Sequence, residues 1–88
     1  NHVKGYQSRS KMRFVFDDDK KTVVLETPEG NKVTLSEDDK SVSIVDQNGN
    51  SITLDDKGIT LDSCKDLILK ASQRLIATKH SQYIKDTR

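Results

Sequence analysis

The chain has 88 residues, of which 32% are hydrophobic and 33% are charged, and it contains two Phe, two Tyr and no Trp. A chain of this length buries only about 60–65% of its unfolded surface, and its few apolar side chains make a self-sufficient globular monomer doubtful. Fifteen Lys and Arg against fourteen Asp and Glu exclude the basic field of a nucleic-acid-binding protein, and no apolar run approaches the roughly 20 residues of a membrane-spanning helix.

Pairs of apolar residues separated by a single residue recur along the chain. Side chains two positions apart lie on one face of a β-strand, so each pair predicts a short strand with one inward face. Val, Ile and Thr dominate these stretches, as is typical of strands. A ninth pair, Tyr83/Lys85, is degraded, and we predict that the other eight form the interior of the assembly: Phe14/Phe16, Val23/Leu25, Val33/Leu35, Val42/Ile44, Ile52/Leu54, Ile59/Leu61, Leu67/Leu69 and Leu75/Ala77.

The links between the pairs carry turn signals. "TPEGN" contains Gly30 in a Pro-x-Gly arrangement, and "DQNGN" contains the Asn48-Gly49 dipeptide of a tight hairpin. "DDDKK" and "SEDDK" are predicted to be solvated, charged links. Gly58 follows "DDK" at a place where a positive φ is expected.

The spacing of the pairs changes along the chain. Successive pairs begin 9, 10, 9, 10 and 7 residues apart as far as Ile59, and then every 8 residues. A regular unit of one strand and one corner indicates a β-helix or related array. We therefore predict a meander or broad-turn β region over residues 12–58, followed by a regular β-helix with eight-residue (octad) repeats over residues 59–88.

Two kinds of β-helix fit the octad. One chain can wind three octads into each coil, or three chains can each supply one face of a triangular prism. The low apolar content favours three chains, because two interior residues per octad from each chain fill a narrow axis. Pairing between chains also removes free strand edges along the shaft.

The run "VTLSEDDKSVSIVDQNGNSITLDDKGITLDSCKDLILKAS" closely resembles the C-terminal spike segment of the VgrG family of type VI secretion. The motifs that carry this resemblance are "DQNGN-SITL", "DDKGITLDS" and "KDLILKAS", followed by "LIAT". That family shares its plan with the central spike of contractile phage tails and of extracellular injection particles. The resemblance extends from about Lys11 to Thr78.

The resemblance implies an all-β fold, an intertwined homotrimeric triple-stranded β-helix that forms the membrane-piercing, β-prism-like spike of a contractile injection machine. It implies two identical partner chains, a PAAR-type tip protein, the tail tube or baseplate, and a transient contact with the target membrane, without nucleic acid. Residues 1–11 are then a linker or neck that follows an upstream β-barrel domain. The protein is expected to be assembled in the bacterial cytoplasm and then injected at the tip of the apparatus.

No cofactor or metal is expected from the sequence. The chain lacks the strict Val-x-Gly octad of phage spikes and the His-x-His pair that some of them use for an axial iron. His80 shares its octad position with Cys64 and Ser72, which is a corner and not an inward face. Cys64 is the only cysteine, which excludes a disulfide within one chain and fits a reducing cytosol.

Other candidate sites have simpler explanations. "DQNGNSITLDDK" resembles part of an EF-hand loop, but Ser51 and Lys57 stand where that loop needs Gly and Glu. The acidic clusters 17–19 and 37–39 are expected to be charged links between strands and not paired catalytic carboxylates. No phosphate loop, nucleophile elbow or zinc spacing is present, so we do not expect an enzyme.

The residues between the inward pairs become apolar toward the end of the chain, at Ile68, Ile76 and Ile84. Such a stripe either docks a tip protein or meets lipid, or it reflects β-propensity and partial burial. The leading functional hypothesis is a trimeric piercing spike. A trimeric tail-fibre or adhesin-like segment that binds a receptor and a monomeric β-solenoid scaffold are the alternatives.

Overall fold

Seven five-residue strands form one antiparallel sheet in the computed structural model, which describes residues 3–79. Each strand pairs only with its neighbours in the chain, so the sheet is a meander in the order β1 to β7. The prediction of an all-β chain is confirmed for the described residues, and none of them forms a helix that could cross a membrane. The strands are β1 (Val3–Gln7), β2 (Arg13–Asp17), β3 (Thr22–Glu26), β4 (Lys32–Ser36), β5 (Ser41–Val45), β6 (Ser51–Asp55) and β7 (Gly58–Asp62).

Strand β1 lies in the part of the chain that the sequence predicts to be a polar linker. It pairs with β2 over its whole length, from Val3 opposite Asp17 to Gln7 opposite Arg13. Gly5 makes this pairing possible, because a Cβ atom at this position would lie 2.7 Å from the carbonyl oxygen of Phe14. Such a distance is far below ordinary van der Waals contact, so β1 needs glycine here to lie flat against β2.

The register of the sheet brings the predicted pairs into line. Side chains directly opposite each other in an antiparallel sheet share one face, and six successive pairs lie opposite one another on β2–β7. They form an apolar face of two columns. The first column contains Phe14, Leu25, Val33, Ile44, Ile52 and Leu61, and the second contains Phe16, Val23, Leu35, Val42, Leu54 and Ile59.

The opposite face of the sheet, which we call the outer face, is mostly polar. Its central column runs from Val15 and Val24 on β2 and β3 to hydroxyl-bearing residues on the later strands, namely Thr34, Ser43, Thr53 and Thr60. Arg13 and Glu26, which lie opposite each other at one margin of this face, form an ion pair. An antiparallel sheet with one apolar and one solvated face must bury the apolar face against another layer.

No such layer is present within the described part of the chain. Among residues 3–79, no hydrophobic side chain is buried, and Ser36 is the one buried residue. The radius of gyration is 17.1 Å, compared with about 12 Å for a compact chain of this length. The chain therefore presents its potential core as a surface.

Residues 63–79 contain no strand, although they carry the same kind of apolar pairs. Leu67, Leu69, Leu75 and Ala77 are all exposed there. The meander itself continues to Asp62, past the predicted change at Gly58, because β7 folds back on β6 through the two-residue turn 56–57. The Tyr83/Lys85 pair and Ile84 lie outside the described residues.

Candidate functional site

The apolar face is the strongest candidate for a functional surface. Its side chains are only partly covered by their neighbours in the sheet: Ile52 remains 38% exposed, Leu25 53% and Ile59 71%. Phe14 and Phe16 lie side by side at the β2 end, with ring centroids 5.0 Å apart. An uninterrupted apolar strip across six strands is typical of an interaction surface and not of the outside of a soluble monomer.

Two concave regions lie along this face. One, of about 730 Å³, is lined by Ile44, Ile52 and Leu61, by polar residues of the adjoining turn and by Leu67 of the strandless segment, residues 63–79. The other, of about 480 Å³, is lined by four residues of the second column, Val23, Leu35, Val42 and Leu54. The face can therefore receive apolar side chains from another chain in addition to lying flat against it.

The turns on one side of the sheet share a single geometry. We call them the first turn edge, and they span Ser8–Met12, Thr27–Asn31 and Asp46–Asn50. In each, the N–H of the first residue donates to the carbonyl of the fifth, at 2.8, 2.9 and 3.1 Å. The fourth residue has a positive φ: 68° at Lys11, 114° at Gly30 and 97° at Gly49. This is a three-residue hairpin loop that ends in a left-handed residue.

Asparagine side chains connect successive turns of this edge. The Oδ1 atom of Asn31 accepts a hydrogen bond of 3.0 Å from the N–H of Gln47 in the next turn. Nineteen positions later, Asn50 does the same for the N–H of Cys64, at 2.8 Å. The first bond joins two turns, and the second joins the last turn to the segment that follows β7. Sequence reasoning missed them, although the repeated Gly-Asn dipeptide, 30–31 and 49–50, was a signal.

Asp46 organises the turn that resembles an EF-hand loop. Its Oδ1 atom accepts hydrogen bonds from the backbone N–H groups of Asn48 and Asn50, both at 2.9 Å, and its Oδ2 atom accepts from both side-chain amides. Hydrogen bonds from Asn50 and then from Asn48 hold the pKa of Asp46 well below its usual range. The carboxylate oxygens of Asp46, the first of the residues that resemble calcium ligands in the sequence, thus serve the turn itself.

The second turn edge, on the other side of the sheet, consists of residues 18–21, 37–40 and 56–57. Its acidic residues also serve turns: Asp17 Oδ1 accepts from the N–H groups of Asp19 and Lys20, and Asp55 Oδ1 accepts from that of Lys57. Gly58 follows with a φ of 124°. Charged links between strands therefore account for much of the acidic clustering.

The second turn edge also contains two lysines with left-handed backbones. Lys21 and Lys40 have φ values of 54° and 51°. The carbonyl of Lys21 accepts a hydrogen bond of 3.0 Å from the N–H of Glu37, which joins two successive turns. Beside them, the Ser36 hydroxyl donates to Asp39 Oδ2 at 3.1 Å.

Cys64 lies at the end of the first turn edge, where the chain leaves the sheet. It is exposed, and its thiol donates to the carbonyl of Asn48 at 3.2 Å. His80 lies outside the described residues. Within residues 3–79, no group of three or more His, Cys, Asp and Glu side chains is arranged to hold a metal ion.

Residues 22–81 match the family model described as the phage baseplate V C-terminal trimerisation domain. The chain belongs to this family. The membership confirms the resemblance to the C-terminal spike segment of VgrG-like proteins. A comparison with curated proteins found no match.

A baseplate V trimerisation domain has a structural role in a phage-type spike and is not an enzyme family. Membership also supports association of identical chains. The matched region contains β3 to β7, hence most of the apolar face, together with the strandless segment. Homo-oligomerisation is therefore supported for a chain whose apolar sheet has no covering layer within residues 3–79.

Proposed function

We propose that this domain forms the rigid, membrane-piercing shaft of a contractile injection machine as an intertwined homotrimer. The observation that carries the proposal is the two-column apolar face, which lies uncovered on a chain whose family trimerises. All sixteen residues of the predicted interior are assigned to the threefold axis. Twelve lie on β2–β7, and the four in the strandless segment are Leu67, Leu69, Leu75 and Ala77.

Three sheets with their apolar faces turned inward form a triangular prism. Burial of apolar surface is worth about 25 cal/mol per Å², and the prism removes both columns of each chain from water at once. The outer face, with its central hydroxyl column, stays in solvent. This arrangement explains how a chain without a core of its own can give a stable particle.

The strandless segment completes the proposal. Its pairs recur every eight residues, and strands that lack a partner within the chain can pair with the other two chains. We assign residues 63–79 to a triple-stranded β-helix in which every coil is shared between chains. Such cross-pairing leaves no free strand edge along the shaft and resists separation of the chains under load.

The function that follows is mechanical. The contracting sheath supplies the work, and the shaft transmits it to the target envelope without buckling. A PAAR-type protein caps the tip, the tube or baseplate holds the other end, and effectors ride on either. Assembly takes place in the bacterial cytoplasm before injection. These assignments rest on the family membership and on the resemblance to VgrG-like spikes.

Light scattering tests the proposal directly. The chain is expected to have three times its monomer mass of 9.9 kDa. Leu54→Asp should abolish the trimer, because it would place three like charges at one level of the axis. The matched control is Thr53→Asp, which puts the same charge on the outer face one residue away and should leave the mass unchanged. A monomeric wild-type chain would refute the proposal.

A further inference from the structure

The three turns of the first turn edge differ in one hydrogen bond. In the first two, the N–H of the fourth residue donates to the carbonyl of the first, from Lys11 to Ser8 at 2.9 Å and from Gly30 to Thr27 at 3.2 Å. In the third turn the fourth residue is Gly49, and its N–H donates to no acceptor among the described residues 3–79. The backbone nitrogen of Gly49 therefore lacks the bond that engages both of its counterparts.

The residue before this nitrogen is Asn48, whose side chain is exposed in the middle of the turn. Among the described residues, its amide makes a single hydrogen bond, from Nδ2 to Asp46 Oδ2 at 3.2 Å, which is at the long end of the usual range. The amide carbon, Cγ, is an electrophile. The backbone nitrogen of the next residue can attack it within the same chain and close a five-membered ring, with the advantage of proximity.

The backbone at Gly49 leaves space for such a ring. Gly49 has a φ of 97° and no side chain. Apart from its chain neighbours, a Cβ atom at this position would meet only the Cβ of Cys64, at 3.8 Å. Because glycine has the widest conformational freedom of all residues, the nitrogen can rotate toward the Asn48 side chain without a steric clash.

The other two asparagines that the structure describes lack this combination. Each uses its Oδ1 atom to accept a backbone hydrogen bond, at 3.0 Å in Asn31 and at 2.8 Å in Asn50. Each is followed by the first residue of a strand, Lys32 or Ser51, whose Cβ atom crowds the backbone nitrogen. These two asparagines therefore serve as internal references for a reaction at Asn48.

We propose that Asn48 is a site of spontaneous hydrolytic deamidation in the folded chain. The nitrogen of Gly49 attacks Cγ of Asn48, the bond from Cγ to the amide nitrogen breaks, and ammonia leaves with the proton that Gly49 gives up. Water then opens the cyclic imide at one of its two carbonyls. The products are aspartate, with the original backbone, and isoaspartate, whose backbone runs through the side-chain carbon. Water is the only co-reactant, and nothing is oxidised or reduced.

Either product weakens the joint between the sheet and residues 63–79. Aspartate replaces the amide that donates to Asp46 with a carboxylate, so two like charges lie at hydrogen-bond distance. Isoaspartate lengthens the loop that the bond between the Asp46 N–H and the Asn50 carbonyl closes at 3.1 Å. It also takes the Asn48 carbonyl, which accepts from the Cys64 thiol, out of the main chain.

The test follows the wild-type chain during storage in alkaline and in mildly acidic buffer. Deamidation raises the mass of a peptide by one unit, so mass spectrometry of digested samples gives a separate rate for each asparagine. We expect Asn48 to react at least about tenfold faster than Asn31 or Asn50, which corresponds to about 1.4 kcal/mol of activation free energy. The reaction should be faster in alkaline buffer, where the attacking nitrogen loses its proton more readily. Equal rates at the three positions would overturn the proposal.

Two comparisons separate the folded turn from the dipeptide alone. The folded chain and the chain unfolded in urea should both be modified at Asn48, and modification only after unfolding would overturn the assignment to the folded turn. Asn48→Gln lengthens the side chain by one methylene and disfavours ring closure, so position 48 should stay unmodified. A mass gain there equal to that of the wild type would contradict the cyclic intermediate. The reaction does not depend on the trimer, and light scattering on the same samples reports the oligomeric state separately.

Asn48→Asp tests the effect of the modification on the joint. It should lower the denaturation midpoint more than Asn48→Ala, which removes the same hydrogen bond without adding a charge. The difference between the two variants should shrink in 1 M salt, where the Debye length is about 3 Å. Equal midpoints at low salt would overturn the predicted weakening by the added charge.

Discussion

The sheet and the segment that follows it carry the same apolar pairs but fold differently within one chain. Residues 3–62 form seven strands, while residues 63–79 form none. The difference lies in the links. Each link in the sheet is a tight turn, often with a left-handed residue at its end, and such turns bring the next strand back beside the last. Alternation defines the face of a strand, and the turn decides whether its partner belongs to the same chain.

Chain reversal is replaced at residues 63–66 by a local bend. The Ser63 hydroxyl donates to the carbonyl of Asp66 at 2.8 Å and accepts from the N–H of Lys65 at 3.2 Å. None of the positive-φ residues described in the chain lies beyond Gly58. The segment leaves the end of β7 without forming a further strand beside it.

The largest effect is expected from a charge on the inward side of the strandless segment. Leu67→Asp should prevent trimerisation, because three carboxylates would meet at one level of the axis. Light scattering and thermal melting measure the outcome. Ile68→Asp is the matched control, with the same change one residue away on the outward side, and it should remain trimeric. A Leu67→Asp protein that stays trimeric with unchanged melting would show that the assigned inward register is wrong.

A smaller effect is expected at the joint between the two regions. Asn50→Ala removes the hydrogen bonds to Cys64 and to Asp46, and should lower stability by about 1–2 kcal/mol. Denaturant titration of the trimer measures this loss. Asn48→Ala, which removes a single side-chain bond of 3.2 Å, should cost less. An equal cost for the two variants would contradict a special role for the link to Cys64.

The pH dependence of the free energy of unfolding should reflect the hydrogen bonds that Asp46 accepts in its turn. Hydrogen bonds lower the pKa of Asp46 in the folded state. The stability that Asp46 contributes is therefore fully present above the unfolded pKa of about 3.9. It is lost as the pH falls from there through the folded value. Asp46→Asn should therefore flatten the stability profile below about pH 4. A profile parallel to that of the wild type would contradict this origin.

The smallest effect is expected at Lys40, one of the two lysines of the second turn edge that have a positive φ. Lys40 has a φ of 51°, a region in which non-glycine residues are strained by about 1 kcal/mol. Lys40→Gly relieves the strain but increases the entropy of the unfolded chain. We expect a net gain of about 0.5 kcal/mol, seen as a higher denaturation midpoint. Glu37→Gly, in the same turn without a positive φ, should give no gain.

Local patterns predicted much of the sheet. The pairs from Phe14/Phe16 to Ile59/Leu61 lie on strands because alternation and β-propensity agree there. The positive φ values of Gly30, Gly49 and Gly58 follow from the turns that surround them. The alternating spacing of 9 and 10 residues also has a local cause, since the two turn edges use loops of different length.

Other features of the fold depend on contacts between residues far apart in sequence, which the pattern of alternating apolar residues does not predict. Strand β1 is polar, and its pairing depends on the close approach at Gly5. The bonds from Asn31 and Asn50 join residues that are 16 and 14 positions apart. In the proposed trimer, a strand at Leu67 and Leu69 needs the other two chains as partners, and no local signal in the sequence records their presence. The assignment of the interior to a threefold axis therefore stays a prediction.

The repeated turn of the first turn edge also sets the unit of sequence by which the proposed shaft can be lengthened or shortened. From Thr27 to Asp46 the chain crosses the sheet twice and returns to the same edge after nineteen residues. Duplication of that unit would add two strands, or about 10 Å, and would leave every later residue on its original face. Deletion would shorten the shaft by the same amount. Length can thus evolve in steps, without redesign of either end.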